Sequence, residues 1–125
     1  QAFDGCNLLP LLMQKKSGIN RALYWHFPIY IQAKKWKNYN SENRDSLFRT
    51  RPGSVIRRGD WKLHYYFEDE SVELFNLKND IEECHNLMSK NPGKGKELLT
   101  ELQSWWAQTK APIPNEKNPY FKIVN

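Results

Sequence analysis

Three histidines and two cysteines are the side chains of this 125-residue sequence best suited to chemistry near neutral pH. A hydrolytic centre needs a nucleophile with a base in hydrogen-bond reach, or a metal held by converging ligands. Cys6 and Cys84 stand far apart and outside any Cys-x-x-Cys pattern, which argues against a structural zinc site and leaves one disulfide or two thiols open. His26, His64 and His85 are scattered and lack metal-ligand spacing with the cysteines or carboxylates. His26 is set apart by its aromatic setting, Tyr24-Trp25-His26-Phe27, which ends at Pro28. A ring satisfied by a backbone partner within a strand is the plainer reading of His26, and a functional ring the sharper one.

Three further patterns resemble sites and have simpler explanations. Arg58-Gly59-Asp60 spells the adhesion tripeptide, but Gly-Asp is also what a two-residue hairpin loop demands. Glu68-Asp69-Glu70 lacks the alternating ligands of a cation loop and reads as a solvated turn. Between Ile31 and Arg58, eight basic residues face only Glu42 and Asp45, and Trp36, Tyr39 and Phe48 are interleaved with them. Such a stretch either grips a polyanion by charge and stacking or is a solvated loop with a few anchoring rings. No phosphate-cradling glycine loop is present.

The elements that must position these residues centre on Ser54–Leu77. Val55 to Arg57 is a β-branched run ended by Gly59-Asp60, with glycine where a type II′ hairpin wants it. In the following run Trp61, Leu63, Tyr65 and Phe67 share one face, and Lys62, His64 and Tyr66 the other. After the acidic turn, Val72, Leu74 and Asn76 alternate with Glu73, Phe75 and Leu77, so this third strand is apolar on parts of both faces and needs a cover. Ala22–Phe27 is the fourth strand, at an edge or sheet end, because Pro28 cannot donate to a ladder. Asp80 with Glu83 predicts a short capped helix, with Leu87 closing onto the core. From Lys94 to Thr109, Leu98, Leu99, Leu102, Trp105 and Trp106 form a helical stripe, the cover the sheet requires. Phe3–Met13 reads as a connector too broken for a long helix, Trp36–Arg51 as a loop, and the tail from Ala111 as a proline-rich strap. The fold class is therefore α+β: a four-stranded antiparallel meander packed against one C-terminal amphipathic helix.

Length bounds the chain to one domain with little surplus area to bury. Its apolar area is concentrated in large rings, five of them tryptophans. A formal charge of +5 favours anionic partners without choosing among them. No run approaches the length of a transmembrane helix and the start lacks the order of a signal peptide, so no membrane partner is expected. The start at Gln1 suggests a piece of a longer product.

Five blocks in order carry a resemblance. Asp4-Gly5 with Leu8-Leu9-Pro10-Leu11-Leu12 comes first, then Tyr24-Trp25-His26-Phe27-Pro28, then Val55-Ile56-Arg57-Arg58-Gly59-Asp60-Trp61-Lys62-Leu63. Glu73-Leu74-Phe75-Asn76-Leu77 running on to Glu83, and Asn86-Leu87, complete the set. Together they span nearly the whole chain, which resembles the C-terminal part of a bacterial arylsulfatase-type sulfatase, a sulfate-ester hydrolase.

The resemblance implies that residues 1–20 connect from an N-terminal catalytic domain outside this sequence, and that 21–125 form the C-terminal subdomain. It implies a partnership with that domain and a sulfated substrate, a glycan or aryl sulfate, with nucleic acid not favoured. It implies formylglycine and calcium in the catalytic domain. Neither Cys6 nor Cys84 fits the Cys/Ser-x-Pro/Ala-x-Arg maturation motif, so no catalytic residue, metal ligand or cofactor is expected in this chain, and alone it should be inactive. His26, with Tyr24 and Trp25, matches the family block near the domain junction and is the candidate for lining the substrate pocket. Export to the periplasm or exterior is implied by resemblance only. The competing function is a stand-alone basic module that binds nucleic acid or an anionic glycan through Ile31–Arg58.

Overall fold

The computed structural model describes residues 7–13, 21–32, 48–116 and 118. Its elements in chain order are α1 (Leu9–Leu12), β1 (Ala22–Phe27), β2 (Ile31–Gln32), β3 (Phe48–Thr50), β4 (Gly53–Arg58), β5 (Trp61–Tyr66), β6 (Val72–Asn76) and α2 (Pro92–Thr109). β1, β4, β5 and β6 form one antiparallel sheet in that order, and β2 pairs with β3 apart from it. The predicted meander is thus β4-β5-β6, with β1 at its edge. Arg58 pairs with Trp61 across the Gly59-Asp60 loop, and Gly59 takes φ +60, the left-handed backbone a type II′ turn asks of its first central residue.

Period two assigns the faces. Tyr24 opposes Ile56, Ile56 opposes Leu63, and Leu63 opposes Leu74, so these residues share one face. α2 lies across it. Ile56, Leu63, Leu74, Leu98 and Leu102 are all fully buried there, each a side chain worth about 1.5–3 kcal/mol of removal from water. Trp105 and Trp106 of the predicted stripe are half-buried and pack around this cluster rather than within it. Pro92 opens α2, where its missing N–H costs nothing. Gly95 is buried with the Met88 sulfur so close that a Cβ would meet it at 2.2 Å. The helix ends at Lys110, whose φ of +52 turns the chain out, and the Ala111 N–H caps the Trp106 carbonyl at 3.0 Å.

Four expectations are corrected. The predicted capped helix at 80–83 is absent. Asp80 Oδ1 and Oδ2 accept the backbone N–H groups of Cys84 (3.0 Å) and His85 (2.8 Å), and Glu83, at φ +58, cannot continue a helix. Its carboxylate reaches across to Lys62 and His64 instead. Second, Leu87 contributes its backbone N–H to the Leu74 carbonyl (2.7 Å), while the neighbouring Met88 side chain joins the core. Third, the loop predicted over Trp36–Arg51 contains strand at Phe48–Thr50, because β2 supplies a partner; its residues 36–47 lie outside the described ones. Fourth, Glu68 of the solvated turn is only 4% exposed. α1 is a single helical turn, in keeping with the expected broken connector, and residues 111–116 run without regular structure. Asp4, Gly5, Cys6, Tyr120 and Phe121 lie outside the described residues.

Candidate functional site

β1 carries the three predicted site residues, and its alternation divides them. Tyr24 and His26 point to the helix-covered face, whereas Trp25, 51% exposed, lies on the opposite face between Leu23 and Phe27. The strand thus presents Tyr24 and His26 on one face and Trp25 on the other.

Tyr24 lies parallel to Trp105 with ring centroids 4.8 Å apart, and its hydroxyl donates to Glu101 Oε1 at 3.0 Å. Arg58 also grips Glu101, through Nε to Oε2 at 2.8 Å and through Nη2 to Oε1. This guanidinium holds the Glu101 carboxyl below the usual range, and burial, reinforced by Glu101, raises the Tyr24 phenol. The arginine of the apparent adhesion tripeptide is thus committed to α2.

His26 sits in a continuous polar seam. Its Nε2 lies 2.9 Å from the Pro112 carbonyl, which can only accept, so in the neutral ring the proton is on Nε2. Nδ1 is then an acceptor, 2.6 Å from Ser54 Oγ, and Ser54 in turn accepts the indole N–H of Trp106 at 3.0 Å. The order is Trp106 N–H to Ser54 O–H to His26 Nδ1, then His26 Nε2–H to Pro112. α2, β4, β1 and the strap are tied together by it. Ser54, 1% exposed, escaped the sequence reading, although its alternation with Ile56 places it on the inner face.

Past the end of β1, Pro28, Tyr30, Pro52, Phe67, Glu68, Glu70, Pro114, Asn115 and Glu116 enclose a cleft of about 290 Å³. Glu68 Oε1 accepts the Tyr30 hydroxyl, while Oε2 accepts no hydrogen bond and has Arg51 Nε 3.7 Å away. Burial, with the nearby Asp69 charge, raises its carboxyl to about 7. Sequence alone gave no signal for this, because burial at the turn depends on Tyr30, Arg51 and the strap, all distant in sequence, meeting it.

The other histidines serve local contacts. His64 donates to Glu83 Oε2 at 2.8 Å and meets Phe75 edge-on. Burial, then Lys62, lowers its basicity, so the ring stays neutral at pH 7. Burial pushes the Glu83 carboxyl up, but Lys62 and His64 more than offset that and hold it low. His85 is largely exposed beside Asp80. Among the described residues no three His, Cys, Asp or Glu side chains converge as metal ligands. His26, His64 and Asp80 are each occupied by the contacts above. Among the described residues no helix is long and apolar enough to cross a membrane.

No family model matches the chain. Over 98% of its length it is 32% identical to a protein named Sulfatase from Formosa agariphila, of which it covers 22%. Over 92% of its length it is 29% identical to an uncharacterized protein of Haemophilus influenzae, of which it covers 51%. The solved structure of BT4656, in complex with its substrate D-glucosamine-2-N,6-O-disulfate, superimposes with a TM-score of 0.58 at 25% identity. That match takes in 91% of this chain and 22% of the other. The chain thus spans about a fifth of the sulfatase and half of the second relative. Five ordered sequence blocks, the β1-β4-β5-β6 sheet roofed by α2 and these likenesses converge, and the chain corresponds to a sulfatase C-terminal domain.

Proposed function

We propose that this chain completes a sulfate-ester hydrolase, supplying structure and one wall of the substrate pocket while a catalytic domain supplies formylglycine and calcium. The observation that carries this reading is the likeness to the sulfatase running through 98% of the chain. The surface of β1 supports it. Leu23 (36% exposed), Trp25 (51%) and Phe27 (39%) make a continuous apolar strip on the uncovered face, the kind of patch that a neighbouring domain buries. α1 adds Leu8, Leu9, Leu12 and Met13, all exposed. The partner is the catalytic domain of the same protein, and the substrate class is a sulfated glycan or aryl sulfate.

Within this reading the three β1 residues have different tasks. Trp25 meets the catalytic domain. His26 and Tyr24 act as positioning residues: both are engaged inside, and His26 holds the strap at Pro112. Sulfate release from an aryl sulfate, measured for this chain and for the full-length protein, tests the division of labour. Turnover is expected only in the full-length protein, and turnover by the chain alone overturns the reading. In the full-length protein His26→Ala should raise KM for a glycan sulfate by more than its effect on folding explains. Unaltered kinetics would return His26 to a purely structural role.

A further inference from the structure

Building on the reading that β1 abuts the catalytic domain, we infer that Arg57 pairs with a carboxylate of that domain and so fixes how the two surfaces align.

The apolar strip of β1 continues onto β4. Trp25 pairs with Val55 and Leu23 with Arg57, so these four side chains share the face turned away from α2. Val55 is half-buried and Arg57 exposed, while Ile56 between them is fully buried on the opposite face. One strand further in, Lys62 opposes Arg57, and there the covered half of the sheet begins, since Lys62 donates to Glu83 Oε1 at 2.6 Å. Arg57 thus stands where bare surface meets covered surface.

Its neighbours in sequence and across the sheet already have anions. Arg58 holds Glu101, Lys62 holds Glu83, and Arg51 lies beside Glu68 and Asp69. Arg57 donates from Nε to the Gly59 carbonyl at 3.2 Å and, among the described residues, pairs with no carboxylate, Asp60 of its own loop included. In water that arrangement costs nothing. It changes when a second surface covers Leu23 and Trp25. Directly opposed residues on one face have Cβ atoms only about 5 Å apart, so a body that buries Leu23 also strips water from the guanidinium beside it. A neutral carbonyl does not compensate a full charge taken out of water, and an anion does. The guanidinium fork matches a carboxylate bidentately. The anion has to arrive with the surface that excludes the water, which makes it a carboxylate of the domain rather than a mobile ion or the sulfate of a substrate.

The test is zero-length cross-linking of the full-length protein carrying Arg57→Lys. A water-soluble carbodiimide joins an amine to a carboxylate only where the two touch, and peptide mass spectrometry identifies the acid. The expected product is an amide between the introduced lysine and one Asp or Glu of the catalytic domain. In the same protein without substrate, Arg57→Glu should lower the Tm by at least about 2 °C more than Arg57→Gln does. In the chain alone the position is solvated, and the two substitutions should be indistinguishable. Cross-linking only to Asp60 or to a second copy of the protein would overturn the inference. So would a change in KM for the aryl sulfate with the substrate-free Tm unaltered, which would give Arg57 to the substrate instead. Failure of the Arg57 substitutions while Trp25→Asp still destabilises the full-length protein overturns this inference alone. Failure of all of them overturns the reading of β1 as the domain interface as well.

Discussion

The two sides of β1 are built from adjacent residues and have opposite fates. Tyr24 and His26 are locked under α2 by a stack on Trp105 and by hydrogen bonds to Glu101, Ser54 and Pro112. Leu23, Trp25 and Phe27, one position out of phase, have no such cover. At the far edge of the same sheet the difference disappears. Phe75 of β6 also points away from α2, yet it is only 5% exposed. There the chain covers its own outer surface: Glu83 reaches Lys62 and His64 of β5. An apolar strip left as exposed as that on β1 is the kind of surface that the proposed catalytic domain would bury.

The largest expected effect lies on the covered side. Leu102→Ala removes a fully buried side chain from the centre of the core and should cost about 2–5 kcal/mol in denaturant unfolding. A cost near that of a surface substitution would mean that α2 does not roof the sheet.

Glu68 gives an effect of similar size that depends on pH. Its folded-state carboxyl is raised from 4.5 to about 7, so the folded protein keeps a proton that the unfolded chain gives up. The associated stability is fully present below about pH 4.5 and is lost as pH climbs through about 7. Glu68→Gln should match the parent near pH 5 and exceed it at pH 8, by up to about 3 kcal/mol. Parallel stability curves from pH 5 to 8 would refute this.

Ser54→Ala tests the polar seam under α2. It leaves the Trp106 indole N–H and His26 Nδ1 without their partner and should cost about 1–3 kcal/mol. Hydrogen exchange should quicken at the Ala111 amide, which caps the Trp106 carbonyl, if His26 truly holds the strap, and unchanged exchange there would separate the strap from the seam.

Much of this was legible in the sequence, and the failures share a cause. The alternation of Trp61, Leu63 and Tyr65, the Gly59-Asp60 turn and the Leu98-Leu102-Trp105 stripe are local signals, and each element they predicted is present. The same alternation, applied to Tyr24-Trp25-His26, would have split the candidate site in advance. What was hidden depends on long-range closure. Glu83 lies close to Asp80 in sequence and fits a capping box, but Lys62 and His64 outbid the cap from 21 and 19 residues away. Glu68 reads as a solvated acid because nothing nearby in sequence shows that Tyr30, 38 residues earlier, will meet it. Phe48–Thr50 lacks a strand pattern of its own and is defined by pairing with β2.

The smallest expected effect on the chain by itself is also the most informative. Trp25→Asp alters an exposed ring that holds no core position, and should move the chain's own stability by no more than about 0.5 kcal/mol. In the full-length protein the same substitution places a charge in the proposed domain interface, and aryl sulfate hydrolysis and thermal stability should both fall sharply. Full activity and an unshifted Tm in the full-length Trp25→Asp protein would contradict the claim that this bare edge is where the catalytic domain rests.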